Sequence, residues 1–183
     1  SNILLPAADV VRSKALVETI HYSNMIEGNE LPKAEAQRAA RGQLDNTSKM
    51  KIELINYVSA LELIDKELAS GSLELTPEFV KRLHGVVTKG LGREDEPFKP
   101  HHEGSWRDGM AFVHHPITRE IIHEGAKPEE VPGRIEGLFD WVAKKTDHPD
   151  WNPYVVAGVL HHAIANIHPF ADGNGRMARL MQM

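Results

Sequence analysis

The chain has 183 residues, 21 basic against 26 acidic side chains, and a formal net charge of −5. With 41% hydrophobic and 26% charged residues it has the composition of a soluble globular domain with its own core, and the acidic balance argues against a non-specific binder of phosphate backbones, so no nucleic-acid partner is expected for this fragment. No cysteine is present, which excludes disulfides and thiolate metal sites and fits a reducing, cytoplasmic setting; no run is long and apolar enough for a membrane, and the N-terminus does not read as a signal peptide.

In chain order, the hydrophobic period predicts a first helix over 9–27, ended by Gly28-Asn29. Ser23 and Glu27 lie four apart on one face of it. An N-terminal helical region over 1–45 is expected ahead of a core over 46–183. The next helix, over 46–69, carries Ile52, Ile55, Val58, Leu61, Leu63, Ile64 and Leu68 at three-to-four spacing, and Gly71 stops it. Thr76-Pro77 reads as an N-cap followed by a first-turn proline, with Phe79, Val80, Leu83, Val86 and Val87 as the buried stripe.

Residues 93–109, rich in Pro, Gly, His and charge, read as loop. Ala111-Phe112-Val113 and Glu120-Ile121-Ile122 flank His114-His115-Pro116-Ile117-Thr118 and predict a small exposed hairpin. A helix over 129–145 follows, with Val131, Ile135, Leu138, Phe139 and Val142 inward. Asn152-Pro153 opens another, whose face carries Val156, Val159, Leu160, Ala163, Ile164 and Ile167. It should end at His168, because Pro169 disfavours α geometry in the residue before it. A last helix begins after Gly173-Asn174-Gly175 and is still running at Met183, so a further helix or domain is expected beyond it. The expected fold is all-α with one β-hairpin.

The densest chemistry lies in His168-Pro169-Phe170-Ala171-Asp172-Gly173-Asn174-Gly175-Arg176-Met177-Ala178-Arg179. Small residues at a helix start let backbone N–H groups converge on an anion, and the helix dipole adds to the attraction. Arg176 and Arg179 share a face and offer planar, multidentate donation to phosphate. Asp172 is a hard oxygen ligand suited to a largely hydrated Mg²⁺. His168, at a helix C-terminus that favours imidazolium, is a candidate general base of raised basicity. Asn174 would hydrogen-bond a phosphate or hold the loop. Eleven histidines invite a metal reading, but no His-Glu-x-x-His or similarly tight ligand spacing occurs.

The pattern His-Pro-Phe-x-Asp-Gly-Asn-Gly-Arg-x-x-Arg resembles the signature of the Fic (filamentation induced by cAMP) family at all nine fixed positions of twelve. Other stretches agree with it: 53–61, Leu83-His84, Gly104-Ser105-Trp106-Arg107 ahead of the hairpin, and Glu130-Val131-Pro132. The resemblance implies a Fic-like helical fold with a hairpin flap, and an enzyme: a nucleotidyltransferase that moves AMP from ATP to a Ser, Thr or Tyr hydroxyl of a target protein. It implies His168 as general base, Asp172 as Mg²⁺ ligand, and Gly173, Asn174 and Gly175 as the anion hole. Arg176 would serve the phosphates, Arg179 the γ-phosphate, and Phe170 would anchor the loop. The flap over 109–124 would align the target segment by strand addition. Glycine at 175 favours adenylylation over the phosphorylating Doc branch, which has lysine there. Glu124-Gly125-Ala126 lacks the family's frequent Pro-Pro, so target choice stays unread.

Ser23-Asn24-Met25-Ile26-Glu27-Gly28 resembles the family's inhibitory motif, and its position ahead of the core is similar to the subclass with an N-terminal inhibitory helix. That implies autoinhibition, with Glu27 pairing Arg179 against the γ-phosphate. The runner-up readings are a nucleotide-gated regulatory or binding module with little turnover, and a relative that uses another nucleotide donor or removes AMP. Self-modification and a homo-oligomer are both allowed.

Overall fold

The computed structural model describes residues 4–92, 102–115, 117–146 and 148–183. Among them are seven α-helices: α1 Leu4–Ile26, α2 Lys33–Ala40, α3 Lys49–Ser70, α4 Pro77–Thr88, α5 Val131–Thr146, α6 Pro153–Ile167 and α7 Asn174–Met181. Two short antiparallel strands, β1 Phe112–His114 and β2 Ile121–Glu124, form the hairpin between α4 and α5. The fold is all-α with a small flap, as its apolar periods predict. The expected loop over 93–109 is described only from His102 onward; its earlier part, like the hairpin's Pro116, lies outside the described residues.

Capping chemistry fixes several helix starts. Ser48 accepts the Lys51 N–H at 3.4 Å, Thr76 the Phe79 N–H at 3.1 Å, and Asn152 the Tyr154 N–H at 2.9 Å. Gly71 closes α3 in the left-handed region at φ 68°. A 3₁₀ turn, Pro128–Glu130, leads into α5, which starts two residues later than its period suggests.

Three details differ from the apolar pattern. α2 is a helix the periodicity does not reveal, because its inward residues are only Ala36 and Ala39; alanine favours helix without marking a face. On α3 the buried stripe is Leu54, Tyr57, Ala60, Leu61 and Ile64, with Asn56 among them, while Leu68 is 54% exposed. The helix is rotated because α2 and α1 cover one flank and α4 the other. On α6, Val159 faces outward, and Val156, Leu160, Ile164 and Ile167 form the inner face.

α6 and α7 pack on each other, α5 covers α6, and α4, α3 and α1 close around α7. Phe170, Met177 and Leu180 sit in the resulting core with Leu83, Ile135 and Ile164, and Ile20, Ala36 and Ala39 join the same cluster from α1 and α2. The polar loop that carries the signature therefore enters and leaves through apolar packing on both sides.

Candidate active site

His168 caps α6 in the left-handed region, with φ 53° and ψ 59°. An L-residue with a Cβ visits this region rarely, and Pro169 bars the α-helical alternative. Its Nδ1 lies 3.3 Å from the Ala165 carbonyl, which can only accept, so the proton sits on Nδ1 and the Nε2 lone pair is left for chemistry. Burial pushes its pKa down; nearby Arg107 and His123 push the same way, while the Ala165 bond and Glu27 oppose them. This corrects the expectation of raised basicity from the helix end: desolvation outweighs the dipole, and the ring is held neutral, ready to accept a proton.

The loop after His168 is built inward. Phe170 is fully buried, stacked on His84 at 3.7 Å and tilted against Trp106 at 4.9 Å. His84 accepts the Gly104 N–H at Nδ1, 3.0 Å, so its Nε2–H donates to the Asp172 carbonyl, 3.0 Å. Burial drives its pKa down to about 4. His84 thus supports the loop. Asn174 donates to the Phe170 carbonyl at 2.8 Å and accepts the Phe170 N–H at 2.9 Å. Of its two anticipated roles, the side chain takes the structural one, and only its backbone N–H is left to face an anion.

Gly173, at φ 77°, caps α7. Its N–H is taken by Asp172 Oδ1 at 2.6 Å, so the free amides of the first turn are those of Asn174, Gly175 and Arg176. Asp172 Oδ2 lies 3.5 Å from Arg176 Nη2. The Arg176 side chain is 3% exposed, yet its Nε and Nη1 have no hydrogen-bond partner, the Glu53 carboxylate being 3.8 Å from Nη1. A buried guanidinium with two orphaned donors is costly by itself and suits a di- or triphosphate anion. The half-exposed Asp172 carboxylate, beside such an anion, has the donor chemistry for a Mg²⁺ ion held by one carboxylate plus phosphate oxygens and water.

Arg179 turns the other way. Its Nε donates to Ser23 Oγ at 2.8 Å, its Nη2 to the Ser23 carbonyl at 2.8 Å and to Glu27 Oε1 at 2.6 Å. The Glu27 carboxylate reaches so far over the first turn of α7 that a Cβ at Gly175 would overlap it. Residues 152 positions apart thus meet at one helix end.

Two hollows flank His168. One of about 360 Å³ is bordered by Val113, His123, His162, His168, Asn174 and Gly175. The other, about 340 Å³, is bordered by Arg107, Asp108, Gly109, Phe112, His168 and Ala171. A larger hollow of about 630 Å³ between α1 and α2, near Lys14 and Lys33, lies away from the signature. Neither an arginine nor a glycine-rich helix start is among its described lining residues.

Two residues were given no role by sequence. Asn29 donates to the Met50 carbonyl and to Glu53 Oε2, both at 2.8 Å, and so pins the chain just past Glu27 onto α3. Arg107 holds the last turn of α6. Neither is marked by period or spacing; Gly104-x-x-Arg107 is a signal only by resemblance.

A buried arginine with two unpaired donors, a neutral histidine and a glycine-rich helix start are set in a helical bundle with a hairpin flap, the architecture of a Fic-type domain. Residues 74–183, more than half of the chain, match the Fic/DOC family, and the chain belongs to it. A protein adenylyltransferase Fic from Nematostella vectensis is 27% identical over 97% of this chain and 40% of its own length. One of the same name from Drosophila willistoni is 25% identical over 93% of this chain and 32% of its own. The chain spans less than half the length of these curated relatives. Among solved structures, a Fic-domain-containing signaling protein from Bacteroides thetaiotaomicron superposes with a TM-score of 0.80 at 29% identity, over 96% of this chain and 64% of that one. A Fic family protein from Desulfovibrio desulfuricans shares the fold with a TM-score of 0.71, over 91% of this chain and 46% of that one.

Proposed function

We propose that the chain is a protein adenylyltransferase restrained by its own Glu27. The observation that carries this reading is Arg176: a buried guanidinium with two unpaired donors, one residue beyond the Gly175 that borders the same hollow as the neutral His168. Such a group calls for a polyanion next to a base.

In this reading the phosphates of ATP rest on the free amides at the start of α7, with Arg176 neutralising their charge and Arg179 meeting the γ-phosphate. A hydroxyl oxygen of the target protein attacks the α-phosphorus. The bond from that phosphorus to the bridging oxygen breaks, pyrophosphate leaves, and Nε2 of His168 takes the hydroxyl proton. Asp172 is the residue that would hold Mg²⁺, which supplies further charge neutralisation on the phosphates when bound. The target segment lies along the flap over 109–124, with its hydroxyl entering from the hollow on the Arg107 side. Self-modification falls within the same chemistry, and a cytoplasmic setting is part of the proposal.

Glu27 supports the autoinhibitory part. It claims Arg179 at 2.6 Å and stands over Gly175, where it excludes a productive triphosphate. A charge-assisted hydrogen bond of this kind is worth about 1.5–3 kcal/mol. Glu27→Gly should therefore raise label transfer roughly ten- to a hundredfold, and His168→Ala should abolish transfer in that background. With Mg²⁺, label from α-labelled ATP should reach protein and label from γ-labelled ATP should not. The reverse pattern would make the chain a phosphotransferase, and equal transfer by wild type and Glu27→Gly would remove the inhibitory role.

A further inference from the structure

We propose that Arg107 is a positioning residue that ties both feet of the hairpin to the last turn of α6, and so sets where the flap stands relative to His168. Its side chain is buried, and among the described residues its side-chain partners are all backbone carbonyls. Nε donates to His168 O at 2.6 Å, Nη1 to Gly109 O at 2.6 Å, and Nη2 to Ala126 O and, at 3.4 Å, to Ile167 O. Gly109 leads into β1 and Ala126 follows β2, while Ile167 and His168 end α6. One planar fork therefore spans three segments.

The choice of arginine follows from those partners. The last carbonyls of a helix lack intrahelical donors and carry the negative end of its dipole, so a buried cation is tolerated there without a carboxylate. Five donors in a rigid fork reach diverging oxygens that a lysine ammonium could not reach together. The backbone reinforces the tie: Arg107 N donates to Pro169 O at 3.0 Å, and Ala126 N to Ile167 O at 3.1 Å. Gly125 fills the junction so closely that an added Cβ would lie 3.0 Å from Arg107 Nη2 and 3.1 Å from His168 Cβ.

The fork itself has a firm base. Trp106 lies against Phe170 and beneath Lys81 Nζ, 4.9 Å from its ring, and Gly104 is bonded to His84. A Cβ at Gly104, whose φ is 68°, would press on the Lys81 carbonyl at 2.9 Å, so the stretch is seated directly on α4. The flap is thereby referred to the same frame as the signature loop.

The charge has a second effect. Around the His168 ring stand Arg107, His123 and His162, with His102 and Asp108 across the adjoining hollow and Glu27 acting from the turn just past α1. Arg107 opposes protonation of the ring, so its removal favours imidazolium.

Two variants separate the parts. Arg107→Lys keeps the charge and loses the fork; Arg107→Met loses both. In each, the Gly125 and Ala126 amides should exchange with solvent roughly ten- to a hundredfold faster while α3 amides keep their protection. The His168 ring, followed by NMR, should titrate higher in the methionine variant and near its wild-type position in the lysine variant. Unchanged exchange at Gly125 and Ala126 in a folded variant overturns the proposal, and so does protection lost evenly over α3 and α5, which would make Arg107 a general strut. Should the methionine variant not fold, the lysine variant decides. The base role of His168 rests on the adenylyl reading, but the tie does not: a Glu27→Gly protein that transfers nothing would sink that reading and leave the exchange result standing.

Discussion

Asn174 closes a ring on Phe170 with both ends of its amide, and Arg176 two residues later is left with donors unspent. Under the proposed reading the two residues trade stability and function in opposite directions. Asn174→Ala strips partners from a buried N–H and a buried carbonyl, and should cost about 2–4 kcal/mol in urea unfolding. Arg176→Met removes a buried charge held, among the described residues, by Asp172 at 3.5 Å and, more distantly, Glu53. It should leave the unfolding midpoint unchanged or raise it, while binding of ATP, followed by calorimetry, is lost. A variant that loses both stability and binding would show that Arg176 is a core strut instead. Nothing in residue spacing separates the fully paired Asn174 from Arg176 with its unpaired donors. The distinction arises because α7 starts inside the core, where each side chain either finds a partner or is kept for one.

At the scale of elements, the start of α7 and the end of α1 share one volume. Gly175 is helical and has no backbone need for glycine; what excludes a side chain is the Glu27 carboxylate. Gly175→Ala should therefore destabilise the wild type, yet stabilise a Glu27→Gly protein by up to about 1 kcal/mol, the usual gain of alanine over glycine in a helix. The coupling read from this double-mutant cycle by thermal unfolding should exceed about 1 kcal/mol; additive effects would mean that Glu27 does not occupy the space. Elements with strong caps and apolar periods were legible in the chain: α4 from Thr76-Pro77, α6 from Asn152-Pro153, and α5 from Val131, Ile135 and Phe139. α2 was not, because two buried alanines leave no stripe of large apolar residues to mark the inner face. The rotation of α3 was hidden as well, since its buried Asn56 and Tyr57 answer to neighbours: Asn56 donates to the carbonyls of Val87 and Lys89 beyond its own helix.

At the scale of the whole molecule, stability depends on acid through His84. In the fold its pKa is pushed down to about 4 from 6.5, so below pH 6.5 the unfolded chain takes up a proton that the folded one refuses. Stability is complete above that window and falls as pH drops through it, by roughly 3 kcal/mol in all. His168, displaced in the same direction, adds to the loss. Urea midpoints taken from pH 7 to pH 4 should show the slope, and His84→Gln should flatten it; an unaltered slope would assign the loss elsewhere. The motif revealed which residues gather, but not how the long-range partners are arranged, because Arg179 with Ser23 and Arg107 with Ala126 are products of tertiary packing. The separation of 152 residues between Glu27 and Arg179 also orders events in time. A ribosome adding about 5–20 residues per second makes the carboxylate roughly eight to thirty seconds before the arginine. The nascent chain thus already carries the counter-charge when the Arg179 guanidinium emerges, and under the proposed reading each newborn molecule starts out silent and has to be woken.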